Sequence, residues 1–249
     1  MKRLFITVLI ISIFAPAWAD DDRFDKANSH YSEGQYEQAI QLYEEILSTG
    51  VESGELYFNL GNAYYKFGEL PSAILNYERA RLLKPQDSDI KYNLELAYTQ
   101  TTDKIETKGT FFLTQWVSSI RNKATSDFWT ILGIACFVLT LLFAGFFMYS
   151  NSVVLKKAGF YLAIIMVIST SITLSFAYKQ KDKLVNRTHA IVFSPSVTVK
   201  SSPDVSGTEI FILHEGTKVK VIGTLGNWKE IELANGYIGW IEMETITMI

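Results

Sequence analysis

The spacing of apolar residues changes along the chain, and each change marks a different kind of element. Residues 4–14 form an uncharged apolar stretch behind Lys2-Arg3. From residue 20 to 104 the pattern is helical and repeats itself. Phe111, Phe112, Leu113, Trp116, Val117 and Ile120 then recur at three- and four-residue spacing among Gln115, Ser118, Ser119, Arg121 and Asn122. That suits a helix lying in a membrane interface, the alternative being a helix packed on the soluble domain. Residues 128–149 and 158–178 carry no charge at all, and each is near the ~20 residues needed to cross ~30 Å of hydrocarbon. Beyond Arg187 come short β-branched runs punctuated by Gly, Pro and Asn: residues 190–192, 197–199, 211–213, 218–222, 228–233 and 237–241. These predict short strands.

The first 19 residues have a Lys2-Arg3 head, an apolar middle and an Ala17-Trp18-Ala19 ending, the arrangement of a cleavable secretory signal, the alternative being an uncleaved anchor helix that exports the following residues equally. Aromatic residues flank both long apolar runs (Phe128, Trp129, Tyr149, Tyr161 and Tyr178), where interfacial anchors belong. The connection at 150–157 is short enough to force a helical hairpin, so the segments before and after it share a compartment. With an exported N-terminus, that compartment is the periplasm of a bacterial inner-membrane protein. Lys156-Lys157 then lies in the cytoplasmic loop, as the positive-inside rule requires, whereas Lys179, Lys181, Lys183 and Arg187 of a basic linker at 179–187 run against it. The signal is taken to outweigh them.

A period of 34 residues appears when Gly34-Gln35-Tyr36-Glu37-Gln38-Ala39-Ile40 is set against Gly68-Glu69-Leu70-Pro71-Ser72-Ala73-Ile74. The second unit, 54–87, resembles a tetratricopeptide repeat through Leu60, Gly61, Tyr64, Gly68, Ala73, Tyr77, Ala80 and Pro85. Gly61 and Ala73 let its two helices approach, and Leu60, Tyr64 and Tyr77 fill the space around the contact. The first unit, 20–53, is looser, with Arg23, Ile46 and Val51 at departing positions. A third start at 88–104 reads as a capping helix, which gives two and a half repeats within 20–106.

Such repeats carry no chemistry of their own; their first helices line a concave face that takes an extended or helical partner segment. By register that groove presents Phe24, Asn28, Tyr31, Phe58, Asn62, Tyr65, Lys66 and Tyr92. Asn28 and Asn62 match asparagines with which chaperone-binding relatives hold a C-terminal carboxylate. Phe24 and Asp89 stand where the basic partners of that clamp would be, so an aromatic, amide-flanked groove for an apolar or amphipathic segment is expected. The alternative is that Phe58 and Tyr92 pack within the short array.

The tail, 188–249, resembles a bacterial SH3 domain. The resemblance is carried in order by Val197 to Pro203, Leu213 to Val219, Trp228 to Ile231 and Asn235 to Ile241. Gly216 and Gly236 are expected in turns with positive φ, and Trp228 and Trp240 in the core. Relatives in secreted hydrolases attach to cell wall, while others are structural, and a structural or protein-contact role is favoured here.

Composition narrows the function. The 249 residues carry a net charge of −3, yet the span from Asp20 to Glu106 holds 17 acidic against 8 basic residues, which does not invite nucleic acid. The single Cys136 lies inside an apolar run, so no internal disulfide framework forms, and His30, His189 and His214 are isolated from one another. No phosphate loop, nucleophile elbow or His-Glu-x-x-His run occurs. Asp20-Asp21-Asp22 and Glu44-Glu45 read as solvated charges rather than catalytic pairs. The expectation is no enzyme, no cofactor and no metal.

The fold class expected is a multi-domain membrane protein: an all-α tetratricopeptide repeat array, two transmembrane helices and a C-terminal all-β SH3-like barrel. That order of modules resembles the Bat aerotolerance family, in its BatE-type member. The resemblance implies an inner-membrane scaffold in an envelope complex for stress or oxygen tolerance, with von Willebrand A-domain membrane proteins and a MoxR-type ATPase system as partners. The other reading is a wall-sensing or wall-targeting protein whose barrel binds peptidoglycan and whose repeats recruit an enzyme.

Overall fold

Polar residues placed just ahead of apolar periodicity start the helices. The Ser53 hydroxyl accepts from the Leu56 amide at 3.0 Å, and the Asp87 carboxylate accepts from the amides of Asp89 and Ile90. Pro71 sits in the first turn of another helix, where a missing N–H costs nothing. The computed structural model describes residues 22–106, 109 and 111–249, and the signal expected at 1–19 lies outside them. The antiparallel helices are α1 (Asp22–Ser32), α2 (Tyr36–Ser48), α3 (Gly54–Phe67), α4 (Leu70–Leu83) and α5 (Ser88–Gln100). They form two helix pairs and a single cap, as the repeat pattern predicts. Gly61 is required where α3 meets α4: a Cβ there would lie 2.7 Å from Cδ1 of Tyr77, itself fully buried.

Helix α6 (Phe112–Arg121) follows, with no buried residue, and Phe112, Leu113, Trp116 and Val117 all exposed. The alternative of a helix packed on the soluble domain is therefore not what is seen. Helices α7 (Ser126–Tyr149) and α8 (Val153–Val185) pack against each other and are long and apolar enough to cross a membrane. Few of their side chains are buried; Gly133, Gly159, Thr173 and Ala177 are among those that are. Small residues at a helix contact with large apolar ones facing outward is an inside-out arrangement suited to lipid.

Two boundaries differ from the sequence reading. The connection between α7 and α8 is only residues 150–152, because α8 already includes Lys156-Lys157. The basic stretch expected as a linker is helical to Val185, giving α8 33 residues, a rod of about 50 Å. Charge marks where lipid contact would stop, but lysine is a good helix former and does not stop the helix.

The tail is a seven-stranded antiparallel sheet in the order β3-β2-β6-β5-β4-β1-β7. Its strands are β1 (His189–Val192), β2 (Ser196–Lys200), β3 (Glu209–His214), β4 (Lys218–Leu225), β5 (Trp228–Glu232), β6 (Ile238–Glu242) and β7 (Ile246–Met248). Strand β7 escaped the sequence reading because its three residues are too short to show alternation. Ala190, Val192, Val199, Leu213, Val219, Ile231 and Ile241 share one core, joined by Ile246 and Met248. Strands from one end of the order to the other thus contribute to a single interior, around which the sheet is wrapped. Trp228 and Trp240 are not in that interior. Ile231 and Ile241 point inward, and the two-residue period of a strand sends Trp228 and Trp240 to the other side, where both are half-buried. Gly216 and Gly236 do have positive φ, at 81° and 82°.

The barrel docks on the helices. Ile191 of β1 and the terminal Ile249 join Ile74, Leu75, Leu94 and Ala97 in one cluster, while Ile105 packs against the barrel core. At Gly216 an added Cβ would come within 2.8 Å of Thr101 Cγ2 and 3.1 Å of Ile74 Cδ1. Helix α4 is consequently buried nearly all round, by α3 and α5 on one side and the barrel on the other. Array and barrel can meet only because α7 and α8 form a hairpin that returns the chain to the side it left.

Gly61→Ala should destabilise the array by about 1–3 kcal/mol, since the Tyr77 ring has no room to yield. Chemical denaturation of the full chain followed by helical circular dichroism checks this, and an unchanged transition would contradict the packing described.

Candidate functional site

The residues predicted to line the groove are held by a hydrogen-bond ladder that follows the repeat. Asn28 Oδ1 accepts from the Tyr43 hydroxyl at 2.6 Å and from Asn59 Nδ2 at 3.0 Å. One repeat on, Asn62 Oδ1 accepts from the Tyr77 hydroxyl and from Asn93 Nδ2, both at 2.8 Å. Each bond reappears 34 positions later because successive first helices stack in register. Burial pushes the Tyr43 hydroxyl up to about 12, so it is a donor at every physiological pH. Asn28 and Asn62 therefore couple neighbouring helices, and only their Nδ2 groups remain for a ligand.

The aromatic positions divide. Phe24 and Phe58 are half-buried, with ring centroids 5.9 Å from Tyr43 and 6.0 Å from Tyr77 respectively. Tyr31 packs beside Tyr36 at 5.5 Å, and the Tyr65 hydroxyl accepts from Gln100 Nε2. These four belong largely to the array, as the alternative reading holds for Phe58. Tyr92 does not pack within it: it is 66% exposed, and Lys66 is exposed too. The hydrogen bonds and ring contacts of the eight predicted residues stay within the helical array, although Phe58 and Tyr65 border the apolar cluster that Ile191 and Ile249 of the barrel share with α4 and α5.

What the sequence reading missed is the interface on the other face of α4. Glu78, only 2% exposed, accepts from Lys218 Nζ at 2.9 Å and Arg81 at 2.6 Å through one oxygen, and from the Tyr98 hydroxyl at 2.7 Å through the other. Burial pushes its carboxyl up, but Lys218 and Arg81 prevail and hold it below the usual range. The Arg79 guanidinium donates to the Met248 carbonyl at 2.9 Å and lies 5.7 Å from the Tyr57 ring centre. Arg187 holds Glu52 at 2.7 Å. Past α5, Asp103 accepts from the His214 amide at 2.7 Å, from its imidazole at 2.9 Å and from the Thr217 hydroxyl at 2.7 Å. Partial burial opposes ionisation of Asp103, yet these bonds keep its carboxyl below the ordinary value. One signal could have pointed here: α4 places a carboxylate, Glu78, among Ile74, Leu75, Tyr77 and Ala80, with no outward face to receive it.

Comparison with known families agrees with this architecture. Residues 24–89 match the tetratricopeptide repeat, and residues 195–247 match the bacterial SH3 domain. The chain thus joins a repeat class that binds proteins to a small bacterial barrel, the two bracketing a long apolar hairpin. No curated protein matches it.

Asp103 and Glu78 make docking depend on pH in one direction. Both carboxyls are depressed in the folded state, so their contribution is complete above the unfolded carboxylate range near ~4 and is lost as pH falls through their lower folded values. Fluorescence transfer between dyes on Glu55→Cys and Val205→Cys, in a Cys136→Ala background, should fall as the medium is acidified below about pH 4. Asp103→Asn should weaken docking by roughly 1–3 kcal/mol at neutral pH. Transfer that is unchanged by both would contradict the interface.

Proposed function

We infer that this protein is a non-enzymatic scaffold of the bacterial inner membrane. Its repeat groove grips a periplasmic segment of a partner membrane protein within a Bat-type envelope complex for stress or oxygen tolerance. The observation that carries this reading is that the barrel docks on α4 and the end of α5 while Tyr92 and Lys66 stay exposed, with no hydrogen bond, ion pair or ring contact to them among the described residues. The barrel, with one flank committed to the array, serves as a brace rather than as a wall-binding module. The exposed apolar side chains of α7 and α8 support a membrane-crossing hairpin, and Phe112, Leu113 and Trp116 on α6 support an interfacial float beside it. Both soluble modules then lie on one side, and the N-terminal signal favours the periplasm.

Occupancy of the groove would draw on Tyr92 as an exposed aromatic anchor, Lys66 for charge, and the free amides of Asn28 and Asn62 for the backbone of an extended segment. Von Willebrand A-domain membrane proteins, with their MoxR-type ATPase, are the partners this reading names.

In intact spheroplasts a membrane-impermeant maleimide should label Val205→Cys and leave Asn151→Cys untouched, both in a Cys136→Ala background; the reverse pattern contradicts the periplasmic placement. A photocrosslinking residue at position 92 should capture a von Willebrand A-domain membrane protein. Tyr92→Ala with Lys66→Ala should weaken that association by roughly tenfold without altering the fold. If capture is absent, or affinity is unchanged in the double variant, the groove is not the docking site.

A further inference from the structure

The turn between β4 and β5 lies at the end of the barrel nearest the apolar helices. Residues 121–124 mark that level. The carbonyls of Arg121 and Ala124 accept from Gln180 Nε2 at 3.3 and 3.0 Å, and the Asn122 carbonyl accepts from Gln86 Nε2 just past α4. Gln180 is two residues outside the uncharged run that ends at Tyr178, about 3 Å along the helix. The chain leading into β4 descends α4 toward this level. Gly216 lies against Ile74, Lys218 Nζ reaches Glu78 at 2.9 Å, and Met248, aligned through Ala190 with Val219, accepts from Arg79 at 2.9 Å. About 10 Å of strand thus accompanies about 7.5 Å of helix, so the two run nearly parallel. From Val219 the strand continues about 18 Å to Leu225, whereas α4 ends at Leu83, about 6 Å past Arg79 and just before the Gln86 contact. Helix α8 leads to the same height. It climbs about 7.5 Å from Gln180 to Val185, the Thr188 carbonyl accepts from the Val221 amide at 2.7 Å, and β4 then returns about 13 Å to Leu225.

The side chains at this turn suit that height. Leu225 is 60% exposed, Ile222 and Met243 are exposed as well, and Trp228, paired across the turn with Leu225, is half-buried. The Met243 amide donates to the Asn227 carbonyl at 2.8 Å, which holds Met243 beside the turn. Lys229 Nζ donates to Thr224 Oγ1 at 3.0 Å, and Lys200 Nζ lies 5.7 Å from the Trp228 ring centre. Aliphatic side chains and a tryptophan with lysines beside them are the chemistry of a membrane interface, where apolar bodies enter and cationic heads stay wet. Glu242 stands opposite Trp228 and offsets the lysines, so apolar burial rather than attraction to anionic lipid drives the contact. We propose that the β4–β5 turn is a membrane-surface anchor, with Leu225, Ile222, Met243 and Trp228 entering the boundary between headgroups and acyl chains. The proposal rests on the reading of α7 and α8 as a membrane-crossing hairpin. The barrel then bears on the bilayer at one end and on α4 along its flank.

The test uses the full chain in phosphatidylcholine proteoliposomes, in a Cys136→Ala background. An environment-sensitive fluorophore is placed on Leu225→Cys, on Ala234→Cys beyond the far end of β5, or on Leu141→Cys within α7. Phosphatidylcholine bearing a nitroxide near the headgroup end of its acyl chain should quench the fluorophore at 225 and leave that at 234 bright. Emission at 225 should also be blue-shifted and protected from aqueous iodide. A fluorophore at 225 that is open to iodide and insensitive to the nitroxide lipid overturns the proposal, as does equal quenching at 225 and 234. A blue shift without lipid quenching overturns it too, by assigning the turn to a protein contact such as a second copy. Position 141 separates the two kinds of failure. If a nitroxide deep in the acyl chain quenches 141 while neither nitroxide lipid reaches 225, the anchor alone is wrong; if 141 is not quenched either, the membrane reading falls with it. Circular dichroism matching that of the native chain confirms that each labelled variant is folded.

Discussion

The Glu78 carboxylate, buried between α4 and the barrel, is the constraint on which the arrangement of modules depends. A charge removed from water this completely is tolerated only with its partners in place. Those partners come from three elements: Arg81 from its own helix, Tyr98 from α5 and Lys218 from β4. Separating barrel from array would take Lys218 away and leave the carboxylate with incomplete compensation in an apolar setting. The ion pair therefore disfavours misdocked arrangements, while Ile74, Leu75, Ile191 and Ile249 supply the apolar burial that favours contact. Asp103 adds a second polar fixture on the far side of α5, so the barrel is held at two points and its rotation is restricted.

This docking gives the hairpin a mechanical meaning. Helix α8 continues past the uncharged run to Val185, and only residues 186–188 separate it from β1. The barrel, the array and the extended end of α8 then form one body standing on two long apolar helices.

Much of the architecture was legible in the sequence. The 34-residue period, the two uncharged runs and the β-branched tail each reflect a local physical rule, and the helices, hairpin and strands appear where those rules put them. The misreadings share a cause. Helix α8 outruns its uncharged stretch because helix propensity and hydrophobicity are different properties of lysine. Trp228 and Trp240 lie outside the barrel core because strand alternation is fixed by Ile231 and Ile241, not by side-chain size. Among the predicted groove residues, the bonds from Tyr43 and Tyr77 that occupy the oxygens of Asn28 and Asn62 were not visible, since each joins residues on different helices.

The sequence by itself determined the modules and their order, because each follows from periodicities read over a few to a few dozen neighbouring residues. Only the tertiary structure decided how the modules meet. Glu78 and Lys218 are 140 positions apart, Asp103 and His214 are 111 apart, and no local pattern relates residues at such separations. The return of the chain through the hairpin brings them together, and burial then makes their charges specific for one another.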